Sequence, residues 1–111
     1  MKIVFFCVGI LLSSLTAVGA AIAACDTAGC SDEKVKVLYP NTSGRVYVEM
    51  TGDKSLLDCS LVSSRFMTFE MSDIGAEAVY SMLLVAHTND TPIDYVRILN
   101  GSSNCSIRYV R

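Results

Sequence analysis

Ser72-Asp73-Ile74-Gly75-Ala76-Glu77-Ala78-Val79-Tyr80-Ser81-Met82-Leu83-Leu84-Val85-Ala86-His87-Thr88 is the stretch whose period decides the architecture. Ala76, Val79, Tyr80, Leu83 and Ala86 recur at helical spacing. Ser72-Asp73 offers an N-cap, and Asp73 and Glu77 suit the positive end of a helix dipole. Pro92 cannot continue a helix, so Thr88 to Thr91 should end it. One helix is therefore expected over about 73–88. Met82, Leu84 and Val85 are apolar too, which predicts a helix wrapped by protein on most sides.

On either side of this stretch the period is two. Lys34 to Tyr39 alternates polar and apolar residues, as a half-buried strand does. Pro40-Asn41-Thr42-Ser43-Gly44 is a turn, and Arg45 to Thr51 alternates again with Val46, Val48 and Met50 on one face. A second turn at Gly52 to Ser55 precedes a weaker strand candidate, Leu56 to Val62, and a better one, Arg65 to Met71. After the helix come Ile93 to Ile98 and Cys105 to Val110, joined by the turn Asn100 to Asn104. The expected fold class is α+β and β-rich: a small, partly closed barrel of about five or six strands, with one apolar helix before the C-terminal hairpin.

The beginning of the chain predicts its compartment. Lys2 precedes the apolar run Ile3 to Leu12, and Ala21-Ile22-Ala23 supplies the small-x-small pattern of a signal-peptidase site. Residues 1–23 thus read as a signal peptide, 24–33 as an N-terminal arm, and 34–111 as a single disulfide-stabilised domain. Residues 3–24 are about long enough to span a bilayer. Ser13, Ser14 and Thr16 dilute that run, however, and Asp26, Asp32 and Glu33 stand where a positive stop-transfer cluster would be. Ile22-Ala23-Ala24-Cys25 also resembles a lipoprotein box. Lipidating Cys25 would leave an odd thiol, whereas cleavage before Ala24 removes Cys7 and leaves an even set: Cys25, Cys30, Cys59 and Cys105. A secreted or periplasmic product with no stable membrane anchor is expected.

Four cysteines allow three pairings; Cys25–Cys30 and Cys59–Cys105 are the favoured ones. Closing the longer loop would contribute on the order of 4 kcal/mol. A domain this small buries only roughly 60–65% of its unfolded surface, so such staples matter. No C-x-x-C occurs, and zinc would normally ask for paired knuckles, so no metal and no cofactor is expected. Without Lys2 eight basic residues face eleven acidic ones, a net charge of −3, which opposes nucleic-acid binding.

The element order is similar to that of the oligonucleotide/oligosaccharide-binding (OB) fold, whose single helix sits between the third and fourth strands. Among exported OB-fold proteins, the B subunits of bacterial AB5 toxins share small size, a signal peptide and a disulfide. The chain also resembles small uncharacterised secreted proteins of Gram-negative bacteria. Those proteins carry an apolar helix like Val79 to Ala86 and a terminal element like Gly101-Ser102-Ser103-Asn104-Cys105-Ser106-Ile107. The resemblance implies export and a shared fold, and no activity.

Candidate chemistry is sparse. His87 is the only histidine and falls at the expected helix C-terminus, where an imidazolium suits the dipole. Ser81 lies roughly opposite it on the helix, so the two form no dyad, and no G-x-S-x-G elbow is present. Asp90 and Asp94 flank Thr91-Pro92 as a carboxylate pair, but acidic loop residues are usually solvated or capping. No catalytic residue and no enzymatic activity is expected. Tyr39, Tyr47, Tyr95 and Tyr109 lie on expected strands, as cross-strand packing or as stacking faces for a partner. Arg45, Arg97, Arg108 and Arg111 would approach one another if the terminal strands are neighbours. Asn41, Asn89, Asn100 and Asn104 each begin an N-x-S/T triplet, and their turn positions explain them without glycans. The functional expectation is an exported, non-enzymatic binding or interaction module acting through a protein or glycan surface, alone or as a homo-oligomer. The alternative is a periplasmic or secreted inhibitor or accessory protein of a neighbouring enzyme.

Overall fold

Asp26 starts the fold locally. Its Oδ1 accepts the backbone N–H groups of Ala28 and Gly29 at 2.8 and 3.0 Å, closing the turn between β1 (Ala24–Cys25) and β2 (Gly29–Glu33). The computed structural model describes residues 24–111; the segment 1–23, read above as a signal peptide, lies outside the described residues. After β2 the chain forms β3 (Val35–Pro40), β4 (Arg45–Met50), β5 (Met67–Glu70), α1 (Ala76–Asn89), β6 (Ile93–Ile98) and β7 (Ile107–Val110).

The strands make two antiparallel sheets, one of four strands in the order β1-β2-β6-β7 and one of three in the order β3-β4-β5. Among the described residues, seven strands and one helix give the expected β-rich α+β class. The described residues form no closed barrel; the expected single barrel sheet is divided in two. The division falls at Lys34, between β2 and β3, where Thr51 N–H donates to the Lys34 carbonyl and Lys34 N–H to Thr51 Oγ1. At the other side only a parallel bridge, Thr68 with Ser106, connects β5 to the start of β7.

Alternation carries the core. Val46, Val48 and Met50 of β4 are fully buried, and so are Met67 of β5 and Val96 and Ile98 of β6. The helix contributes Ala76, Leu83 and Ala86, with Val79 and Tyr80 packed at the margin. His87 Nδ1 donates to the Val35 carbonyl at 2.9 Å and ties the last turn of α1 to β3. Disulfides join Cys25 to Cys30 and Cys59 to Cys105, the pairing favoured from the sequence, and fit an oxidising compartment. Among the described residues no helix is long and apolar enough to cross a membrane.

Four local expectations change. Residues 24–33, read as an arm, contain β1 and β2, because the Asp26 turn folds them into a hairpin that β6 extends. The weak strand Leu56 to Val62 is irregular chain with isolated bridges from Cys59 to Ser102 and from Val62 to Phe66. The helix N-cap is Gly75 at φ 83°, with no side-chain cap, while Asp73 Oδ2 accepts the backbone N–H of Glu70 instead. The helix is not wrapped: Met82, Leu84 and Val85 are 44%, 42% and 58% exposed, because protein packs on one side of it only.

Candidate functional site

The outer face of β3-β4-β5 follows from the same alternation. With Val46, Val48 and Met50 turned into the core, Arg45, Tyr47 and Glu49 face outward. The register sets Tyr39 directly opposite Tyr47, and their rings stack at 4.9 Å with 13° between planes. Phe66 meets both edge-on, at 5.7 Å from Tyr39 and 5.9 Å from Tyr47. Such pairs contribute about 0.5–1.5 kcal/mol beyond the area they bury. Phe66 is held by a tight turn: Val62 and Phe66 exchange both backbone hydrogen bonds at 2.9 Å, and Ser63 and Ser64 take positive φ of 53° and 61°.

Arg65 borders this aromatic cluster. Its guanidinium lies 4.8 Å over Phe66, and its Nη2 donates to Glu49 Oε1 at 2.8 Å. Lys36 Nζ is 4.0 Å from the other Glu49 oxygen. The Arg65 hydrogen bonds hold the nearly buried Glu49 carboxyl below the ordinary carboxylate range. At the far end Arg45 Nε donates to Glu70 Oε2 at 2.6 Å. The face therefore offers two stacked tyrosine rings, braced by the buried Phe66 and framed by paired charges. Thr68 Oγ1 donates to the Asn104 carbonyl at 2.8 Å, which fastens the loop between β6 and β7 beside it. Asn41 Oδ1 accepts from Ser43 N–H, Ser43 Oγ–H and Arg45 N–H and sets the turn between β3 and β4. Within the loop from β4 to β5, Gly52, Lys54, Leu61 and Ser64 line an open depression of about 500 Å³.

The other residues singled out in the sequence are scattered. Asp90 is the C-cap of α1 and pairs with Lys34 at 3.3 Å, and Asp94 is exposed in β6. Ser81 is exposed beside Met82 and Val85, away from the bonded His87. Asn100 Nδ2 donates to the Thr27 carbonyl and Asp58 Oδ2, Asn104 serves Thr68 through its backbone, and Asn89 ends α1. Tyr95 and Tyr109 pack 6.3 Å apart on the other sheet. The four arginines divide: Arg45 sits in the three-stranded sheet, whereas Arg97 and Arg108 lie on β6 and β7 and Arg111 follows β7.

Sequence reasoning missed Phe66, Arg65, Glu49 and Lys36 as parts of one face. Their signal was the Arg65-Phe66 pair after Ser63-Ser64, a turn that aims both residues at β4. Among the described residues Cys25, Cys30 and Glu33 are the one group of three metal-capable side chains that comes together, and both sulfurs are committed to a disulfide. Comparison with protein-family models, curated proteins and solved structures gives no match.

Proposed function

We propose that this chain is an exported, non-enzymatic binding module on an OB-like framework, and that its partner, a glycan or protein surface, seats on the Tyr39–Tyr47–Phe66 face. The observation that carries this is the stacked tyrosine pair on an outer sheet face, with Phe66 edge-on and Arg65 and Glu49 at the rim. Aromatic rings give a partner large contact area at low entropic cost, and arginines beside them are frequent energetic anchors of interfaces.

The framework is supported by the strand path. β2 and β3 run on through Lys34 as one bent strand, and β4 and β5 follow. α1 stands between the third and fourth strands so counted, and the Thr68–Ser106 bridge brings β5 beside β7. In the OB fold the face of strands two and three and the loops bordering it take ligands. Here those are β4 and β5, the turn 41–44 and the loop 99–106. Export is supported by Lys2, the apolar run and Ala21-Ile22-Ala23, and by two disulfides.

The test is a glycan array and a sizing column run on the mature chain, with Tyr47→Ala beside it. Glycan binding by the native chain that Tyr47→Ala abolishes supports the lectin-like form. A blank array with a monomeric profile removes it. In that case a one-to-one complex with a neighbouring gene product, weakened by Tyr47→Ala and Arg65→Ala, supports the accessory or inhibitor form.

A further inference from the structure

The outer face of β6 and β7 has a different character from the face just described. Val96 lies opposite Val110 and both point inward. Arg97 is opposite Tyr109, and Tyr95 and Arg111 exchange both backbone hydrogen bonds at 3.1 and 2.9 Å. Directly opposed residues share a face, so Tyr95, Arg97, Tyr109 and Arg111 form a chequer of two rings and two guanidiniums. Tyr95 and Tyr109 meet on its diagonal, and the Arg111 guanidinium lies 4.9 Å over the Tyr95 ring. A register shift between Arg97 and Ile98 adds Arg108, exposed, beside Tyr109.

This arrangement is built rather than incidental. Gly29, opposite Arg97 on β2, allows the close approach of β6 and of the Tyr95 ring: a Cβ there would first meet the Val96 carbonyl oxygen and would also come 2.8 Å from both Tyr95 Cζ and Oη. Tyr95 in turn supports Arg111, so one cation of the chequer is pre-positioned.

The charges are the second observation. Lys34, Lys36, Arg45 and Arg65 each pair with a carboxylate. Among the described residues Arg97, Arg108 and Arg111 make no such pair. Arg97 donates from Nε to the Ile98 carbonyl and is 3.5 Å from Asn100 Oδ1, so it reaches the Asp58 carboxylate only through Asn100 and forms no ion pair with it. Asp32 and Asp94, on β2 and β6, are exposed, and among the described residues neither forms an ion pair with any of the three. An acidic chain thus gathers on one small aromatic face three guanidiniums that no side-chain carboxylate pairs with among the described residues.

We infer that this face is an anion site for a carboxylate carried on a ring, as in an acidic sugar residue of the uronic-acid class. Guanidiniums match a carboxylate bidentately, and Tyr109, 42% exposed, offers a flat apolar surface to the ring that bears it. The net charge of −2 on the whole chain disfavours an extended polyanion, which would meet repulsion beyond the patch, and favours a ligand with one local charge. The site lies on the other sheet from the Tyr39–Tyr47 face and does not depend on it.

The test is an amide and arginine Nε NMR titration of the mature, oxidised chain with methyl glucuronide, methyl glucoside and inorganic phosphate as probes. Saturable shifts confined to β6, β7 and Arg111 are expected with the glucuronide, with the glucoside weaker by about tenfold or more. Arg111→Gln and, independently, Arg108→Gln should each weaken glucuronide binding by about tenfold. Arg108→Gln leaves the Tyr95–Arg111 stack in place and guards against a misfolded variant. Equal shifts with the glucoside, binding of phosphate as tight as the glucuronide, or indifference to both arginine variants overturns the proposal. Repeating the titration with Tyr47→Ala separates the two faces: retained glucuronide binding assigns it to β6 and β7, and lost binding overturns that assignment.

Discussion

Glu33 Oε1 accepts the backbone N–H of Gly52 at 3.0 Å, and the Glu33 carboxyl fills the space that any side chain at position 52 would need. The glutamate is 1% exposed, at the bend where β2 passes into β3, and its Oε2 lies 3.4 Å from Cys25 Sγ, a disulfide sulfur with no proton to donate. One hydrogen bond for a buried carboxyl is a thin compensation for lost water. A Cβ at position 52 would press on that carboxyl, so Gly52→Ala should destabilise the fold by about 1–3 kcal/mol. Urea denaturation of the variant checks this.

Burial raises the Glu33 pKa above its ordinary value of 4.5, and the Gly52 N–H and Lys54 only partly oppose the shift. The folded chain therefore holds this proton more tightly than the unfolded chain does. Its contribution to stability is complete below the unfolded pKa and is lost as pH rises through the folded one. Glu33→Gln, which cannot ionise, should lack that decline. Denaturation midpoints of the two proteins across pH 4 to 8, taken relative to one another, should diverge in the variant's favour as pH rises. Parallel curves would exclude ionisation of Glu33 as the cause.

Glu49 has the opposite sign. Arg65 lowers its pKa, so the stability it supplies is present above the unfolded carboxylate value and is lost as pH falls through the folded one. Arg65→Ala should weaken the fold most at neutral pH, and the difference from the native chain should shrink on acidification below about pH 4.5. Thermal melts at pH 7 and pH 3 measure both ends of that window.

The helix makes a steep contrast between adjacent residues. Leu83 is fully buried and Met82 is 44% exposed. Leu83→Ala should cost about 2–5 kcal/mol by leaving a cavity between α1 and the sheets. Met82→Ala should stay within about 0.5 kcal/mol of the native chain. Comparable losses at the two sites would contradict this orientation of α1.

The two disulfides close loops of very different length, with sequence separations of 46 and 5. The chain-entropy model assigns the longer one on the order of 4 kcal/mol and the shorter on the order of 2. Replacing Cys59 and Cys105 together by serine should lower the denaturation midpoint more than replacing Cys25 and Cys30 together. The reverse order would mean that the Cys25–Cys30 link does more than shorten the unfolded chain.

What was legible in the sequence was local. Period-two alternation placed β3 and β4, the change to a 3.6-residue period placed α1, Asn41 marked the turn between the two strands and Pro92 the stop after the helix. The favoured disulfide pairing is the one the structure contains. The strands, the helix and the turns depend on neighbours a few residues away, whereas an even set of four cysteines permits the long Cys59–Cys105 link without by itself choosing it. Tyr39 and Tyr47 were visible as strand residues, yet their stacking depends on a cross-strand register that alternation does not supply.

The tertiary structure decided everything that joins distant residues. It turned 24–33 from an arm into two strands, because the Asp26 turn presents β2 to a β6 more than sixty residues later. It put Phe66 and Arg65 beside Glu49 and gathered Arg97, Arg108 and Arg111 onto one face while Arg45 went to another. It also left Met82 and Val85 in solvent although their side chains are as apolar as Leu83. By itself the sequence determined the class of fold and the place of the helix between strands, since hydrophobic period and turn chemistry act along the chain. Which faces meet, which carboxyl is buried and which cations stay unpaired were decided by packing, because those outcomes depend on what the rest of the molecule places across the gap.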